Sequence, residues 1–340
     1  MSPVDESPLP FLTARVPGCG GAFKATPEDF VVEELPAYQP SGEGEHLFVW
    51  LEKRGRSTQE VAKALARHCG VEERLVSWAG LKDRQALTRQ YLCLPAKAGE
   101  PAIGSFAHPG VTVLRWARHR NKLKTGHLQG NRFELWLRGV SDVGALEATI
   151  GELKARGVPN YYGEQRFGVT GANAERGKAL LLAGGRHRDR FERKLLLSAY
   201  QSALFNRVLA QRLDRGSFDR ALAGDVLKKH ETGGQFLCEA PEVDQPRVER
   251  FEVSPTGPMF GPEMTCPQGE AWALEAEVLA ADGVTLETFA AGGDETRGTR
   301  RLLRIPLEVE HAASTDGVKL DLVLPAGSYA TVVLRELLKT

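Results

Sequence analysis

Runs of strand type stand at both ends of this chain with a helix-rich stretch between them, and that arrangement limits the folds open to it. Residues 28–36 (EDFVVEELP) and 46–54 (HLFVWLEKR) are short, rich in Val and Phe, and separated by the turn cluster QPSGEGE. They predict two strands joined by a polar loop. Ser57 followed by Glu60 is a capping box that opens a helix from about 58 to 68, with Val61, Ala62 and Leu65 on one face. Strands are expected at 74–79, 87–94, 111–117 and 131–138, with the tight loop GLKDR between the first two. A helix from Ser141 to about Arg156 stops at Gly157, Val158 and Pro159.

The character then changes. Residues 172–213 are strongly helical, and 231–290 are acidic and rich in Pro and Gly. The tail goes back to the strand-and-helix pattern of the first 157 residues, with a strand at 319–325, a turn at Ala326-Gly327-Ser328, and a helix from Tyr329 to Lys339. The economical reading is an α/β (α+β) domain built from residues 1–157 and 306–340, with a second domain inserted at 158–305. A length of 340 residues accommodates two domains. The first ten or so residues read as a flexible leader without the pattern of a signal peptide.

Charge and cysteine content narrow the function. Forty-four basic residues balance 44 acidic ones, which excludes a uniformly basic RNA coat. Any nucleic-acid surface must come from uneven placement. Residues 115–132 supply it: Arg115, Arg118, Arg120, Lys122, Lys124 and Arg132 occur with no acid among them. This run suits a phosphate backbone, although a solvated face is the plainer explanation of most such runs. A second run, Arg186, Arg188, Arg190 and Arg193, is interrupted by Asp189 and Glu192. Charge repulsion turns the acidic 231–290 segment away from any phosphate backbone. The five cysteines are odd in number and lack CxxC spacing, which argues against a disulfide framework and a zinc knuckle and suits a reducing cytoplasm. No apolar stretch approaches a membrane span.

Asp83 is the leading candidate for chemistry. It lies in a short loop after a strand and a glycine, flanked by Lys82 and Arg84. Neighbouring cations keep a carboxylate ionised, and an ionised carboxylate can act as nucleophile or base. Spacing alone also fits an ordinary surface turn.

The stretch AGLKDRQALTRQYLC, which contains Asp83, resembles the catalytic segment of TruD-type pseudouridine synthases. Three further blocks are similar to the same family: ATPEDFVVEE with GEGEH, PNYYGEQRFG with SALFN, and LPAGSYAT. The resemblance runs from about Lys24 to Leu338. It implies the pseudouridine synthase fold, a mixed and largely antiparallel sheet with flanking helices and a central cleft, beside an inserted domain. It implies an isomerase acting on uridine 13 in the D-arm of tRNA, with Asp83 as the catalytic aspartate. Lys24 matches a basic residue paired with that aspartate. Phe30 matches an aromatic at the uridine pocket, and Asn131 a nucleoside contact. Tyr329 stands where the family usually has phenylalanine stacked on the target base. Taken alone, these would be a surface lysine, a core strand residue, a turn asparagine and a core-packed aromatic. Uridine isomerisation needs neither cofactor nor metal, and none is expected. The expected partner is tRNA, for a monomeric cytoplasmic protein without a nucleotide cofactor. The alternatives are a noncatalytic RNA-binding or RNA-folding module, and an RNA methyltransferase, for which no convincing glycine-rich loop is present.

Overall fold

The computed structural model describes residues 9–168 and 170–340. The leader expected over the first ten or so residues lies almost wholly outside them. The chain divides into two compact units, one of Cys19–Gly144 with Glu308–Gly327, the other of Met1–Gly18, Ala145–Leu307 and Ser328–Thr340.

In the first unit the strands are β1 (Phe30–Pro36), β2 (His46–Arg54), β3 (Ser77–Trp78), β4 (Leu87–Pro95), β5 (Val111–His119) and β6 (Leu128–Arg138). Helices α1 (Thr58–His68) and α2 (Ala96–Ile103) lie between them. Beyond the other unit's β7 to β12 come β13 (Glu308–Ser314) and β14 (Gly317–Pro325). They form one sheet in the order β13-β14-β6-β1-β4-β2-β5, with β3 paired to β4. Its pairs are antiparallel except for β1 with β4. This is the mixed, largely antiparallel sheet that the family resemblance implies.

The burial pattern explains β2, where both phases of the alternation are apolar. Leu47, Val49 and Leu51 pack with Val61, Leu65 and Ala66 of α1. Phe48 and Trp50 pack with Tyr91, Cys93 and Leu123 on the opposite face. A strand covered on both sides loses its apolar–polar alternation. The capping box is made: Glu60 N donates to Ser57 Oγ at 3.1 Å and Ser57 N to Glu60 Oε2 at 2.7 Å. The strand expected at 74–79 shrinks to β3, preceded by a 3-10 turn at Glu73–Leu75. Glu73, Arg74 and Leu75 are all exposed, so they have no face to bury.

The second unit holds α3 (Val143–Arg156, most of its length), β7 (Val158–Pro159), α4 (Asn173–Leu182), α5 (Arg190–Asp214), β8 (Val226–Lys229), β9 (Gln235–Leu237), α6 (Pro241–Glu249), β10 (Val253–Met259), α7 (Gly269–Ala281), β11 (Thr299–Leu302), β12 (Arg304–Ile305) and α8 (Ala330–Leu338). Its four-stranded sheet runs β11-β10-β8-β9. Leu197, Tyr200, Leu204 and Val208 of α5 form a core with Leu274, Val278 and Phe289. At Gly177 an added Cβ would stand 2.1 Å from Leu196 O, so a glycine lets α4 approach α5.

This division differs from the breakpoints expected at 157 and 306, because both termini join the middle of the chain. The buried Glu336 carboxylate on α8 accepts from Leu12 N (2.9 Å), Thr13 N (3.0 Å) and Thr13 Oγ1 (2.6 Å). The segment read only as acidic and Pro/Gly-rich carries α6, β10 and α7. Every residue of β10, VSPTGPM, is buried despite two prolines. Its ladder switches partner midway: residues 253–255 pair with β8 and 256–259 with β11.

Candidate active site

Asp83 sits in the loop between β3 and β4, and neighbouring elements hold that loop residue by residue. Gly126 N donates to Ala79 O at 2.8 Å, and Gln90 Nε2 of β4 donates to Gly80 O at 3.0 Å. Lys82 N donates to Thr58 Oγ1 at 3.0 Å, and the same hydroxyl donates to Gln90 Oε1 at 2.8 Å. The cap that starts α1 therefore also places the hydroxyl that fixes the loop. Asp83 Oδ1 accepts from Gln85 N at 2.9 Å, an Asx-type turn that sets the carboxylate's direction.

The other carboxylate oxygen meets Lys24, whose Nζ stands 2.7 Å from Asp83 Oδ2. Both side chains are mostly shielded, at 17% and 21% exposure, so the pair is less screened than a surface bridge yet open to a ligand. Lys24 has a left-handed backbone with φ of 61°, rare for a residue with a side chain. Its ammonium also lies 4.3 Å from the centroid of the Phe30 ring, a cation–π contact. Phe30 is itself buried, with Phe23 and Phe133 around it at 6.3 and 6.2 Å.

Asn131 reaches the same place from β6. Lys82 Nζ donates to Asn131 Oδ1 at 2.8 Å and stands 3.1 Å from Glu34 Oε2 of β1. An ammonium can only donate, so the amide oxygen must face it and the Asn131 NH₂ faces elsewhere. The Lys82 and Glu34 side chains are 4% and 0% exposed, and burial pushes the Glu34 carboxyl up while Lys82 pulls it back. Glu34 Oε2 has no hydrogen-bond partner among the described residues. Charge attraction from Lys82, 3.1 Å away, is what offsets the burial of this oxygen. Lys24, Phe30, Asp83 and Asn131, four residues singled out in the sequence, thus converge in the structure.

Tyr329 belongs to the other unit, as the residue before α8. Its ring meets Tyr162 edge to face at 6.2 Å. Burial pushes its phenol above the ordinary tyrosine value, with Arg166 and Arg301 acting in the other direction. The surrounding sequence blocks are structurally tied. Asn206 of SALFN accepts from Tyr162 N at 2.8 Å and donates to Tyr162 O at 2.9 Å. Arg166 donates to Ser202 Oγ at 3.1 Å and lies 5.4 Å from the Tyr162 ring.

The basic run is not as uncompensated in space as in sequence. Arg118 pairs with Glu100, Arg120 with Glu43 and Arg132 with Asp321. Strand alternation also sends Arg132 to the sheet face opposite Asn131. Arg115 lies 5.4 Å from the Trp50 ring, and Lys122 donates to Arg74 O at 3.5 Å. Arg115, Lys122 and Lys124 have no ion pair among the described residues. In the second run, Asp189 caps α5 and Glu192 pairs with Arg176, so these acids are committed locally.

Lys53 and Glu34 are site residues that sequence reasoning missed as such, and Lys82, read from sequence as a cation flanking Asp83, turns its ammonium to Glu34 and Asn131 instead. A signal existed: Lys53 continues the inward phase of Leu47, Val49 and Leu51, and Glu34 that of Phe30 and Val32.

A crystal structure from Methanosarcina mazei superposes with a TM-score of 0.76 at 24% identity, covering 97% of this chain and 96% of that one. That likeness defines the class of fold, a mixed-sheet architecture shared with a protein described under the name tRNA pseudouridine synthase D. The sequence model of the family tRNA pseudouridine synthase D (TruD) matches residues 9–184 and 189–337. A tRNA pseudouridine synthase D of Anaeromyxobacter dehalogenans is 52% identical over 337 residues, covering 97% of this chain and 96% of that protein. One from Thermus thermophilus is 46% identical over 334 residues, covering 97% and 92%. The chain belongs to the TruD family. Among the described residues no helix is long and apolar enough to cross a membrane.

Proposed function

We propose that this protein isomerises uridine to pseudouridine in tRNA, at uridine 13 of the D-arm, with Asp83 as nucleophile toward C1′ of a flipped-out uridine. The observation that carries the reading is the Lys24–Asp83 pair, 2.7 Å long and mostly shielded, on a tightly held loop. The N1–C1′ bond breaks, the uracil rotates, and C5 joins C1′. C5 gives up its proton and N1 ends protonated, so the composition is unchanged. The ammonium of Lys24 favours the ionised carboxylate. Loop hydrogen bonds hold the carboxylate in place before substrate arrives.

Around that pair the other residues take the following roles. Phe30 lines the uridine pocket as an apolar wall beneath Lys24. Asn131 offers its NH₂ to a uracil carbonyl, consistent with its oxygen facing Lys82. Tyr329 stacks on the target base, an assignment that rests on the family resemblance. Arg115, Lys122 and Lys124 contact phosphates most directly, while Arg118, Arg120 and Arg132 must first exchange their carboxylate partners. Exposed pairs of this kind are weak and screened by solvent, so phosphate can displace them. Extruding the uridine costs a few kcal/mol, which backbone contacts offset.

The test is pseudouridine formation in unmodified tRNA, with the modified position mapped. Product at uridine 13 supports the full reading. Product elsewhere removes the positional claim, and no product with any tRNA removes the enzymatic one.

A further inference from the structure

We propose that Lys53 is a positioning residue, a buried ammonium that sets the catalytic loop by gripping its main-chain carbonyls. The inference rests on Asp83 being the nucleophile, and concerns a residue that the proposed chemistry does not otherwise use.

Lys53 ends the inward-facing row of β2 and is 1% exposed. Its Nζ donates to Arg56 O at 2.7 Å, Asp83 O at 2.9 Å and Lys82 O at 3.4 Å. An ammonium has three N–H donors and no acceptor, so all three are committed to main-chain oxygens. Two of those oxygens belong to Asp83 and the residue before it. The third belongs to the turn that leads from β2 into α1, whose Thr58 also holds Lys82 N. Lys53 thus ties the loop's backbone to the sheet, while Lys24 meets the reacting carboxylate from outside. An apolar residue in this row would leave three carbonyls competing for other donors, and the loop would lose its fixed height above the sheet.

The charged groups facing Lys53 are Asp83 and Lys82 from the loop and Glu60 from α1, the last 3.8 Å from Arg84. Burial pulls the ammonium down to about 8, aided by Lys82 and opposed by Asp83 and Glu60. A neutral amine has only two N–H donors and turns a lone pair toward a carbonyl. Above pH about 8 the grip therefore fails in part. Stability moves the opposite way. Between about 8 and 10.5 the unfolded chain holds more protons at this group than the folded one, so its contribution to stability rises with pH. Loss of rate over that window cannot then come from unfolding caused by this group.

The experiment is a single-turnover pseudouridylation assay on unmodified tRNA, comparing wild type with Lys53→Met from pH 7 to 9. Met keeps the length of the buried stem. At pH 7 the variant should react about tenfold or more slowly, with tRNA affinity within about twofold of wild type. The ratio of wild-type to variant rate should fall as pH passes 8, and ionisation of the uracil cancels in that ratio. A folded variant within twofold of wild type, or a ratio flat in pH, overturns the proposal. If Lys53→Met does not fold, Lys53→Arg decides, because its guanidinium stays charged: it should lose the rate fall near pH 8, and retaining that fall overturns the proposal. An inactive wild type would instead count against the proposed reaction, which keeps the two failures apart.

Discussion

Lys24 adopts a left-handed backbone that costs a residue with a side chain on the order of 1 kcal/mol, and its ammonium ends up 2.7 Å from Asp83. Strain of this kind persists where surrounding structure over-determines it. Replacing Lys24 by Met should lower kcat roughly hundredfold while tRNA affinity changes little, as expected when one preorganised charge is lost. Intact kcat with lost binding would assign Lys24 to RNA docking instead. Tyr329→Phe should remain active in the same assay, since the ring face is kept, and complete loss would give the hydroxyl a chemical role. The Glu34–Lys82 pair makes a different prediction. Lys82→Met strands a fully buried carboxylate and should destabilise by roughly 3–5 kcal/mol in urea unfolding. Adding Glu34→Gln should recover most of that, and no recovery would mean Lys82 acts through Asn131 rather than through the charge pair.

At the level of elements, α1 matters to the site through its first residues. Ser57→Ala removes the cap and should lower stability by about 1 kcal/mol. Because Thr58 holds Lys82 N, the same change should slow turnover more than it weakens tRNA binding; equal stability and equal rate would show the cap to be dispensable. The fold was legible where local chemistry and tertiary packing agree. The capping box, the apolar runs of β1, β2 and β4, and the long helix α5 were all readable in this way. Legibility failed at β10, whose prolines argue against a strand until the split between two partners is seen. It failed at Arg74 and Leu75, where a strand-like composition is exposed and has no face to bury. Resemblance singled out Lys24, Phe30, Asp83 and Asn131, and the structure brings these four together. Lys53 and Glu34 were only half readable, because a charged residue in an apolar row marks burial but not the loop carbonyls or the ammonium it meets.

For the molecule as a whole, a net charge of zero hides local imbalance. The basic run draws its counter-charges from Glu43, Glu100 and Asp321, residues distant in sequence, and a one-dimensional scan could not find them. This leaves Arg115, Lys122 and Lys124 as the cations of the run more available to the proposed phosphate contacts. Replacing all three by Ala should reduce the slope of log K against log salt by about 2–3, whereas Arg120→Ala should change it by less than about one. Equal effects across the run would mean that the ion pairs dissolve when RNA binds.

The central claim is that the Asp83 carboxylate performs the reaction. Its most direct measurement is pseudouridine yield from an unmodified tRNA transcript with wild type and with Asp83→Asn, alongside tRNA affinity for both. The account predicts full conversion by wild type, none by the variant, and affinities within about threefold, because the amide keeps the size but not the charge. Appreciable product from a purified Asp83→Asn protein would contradict it.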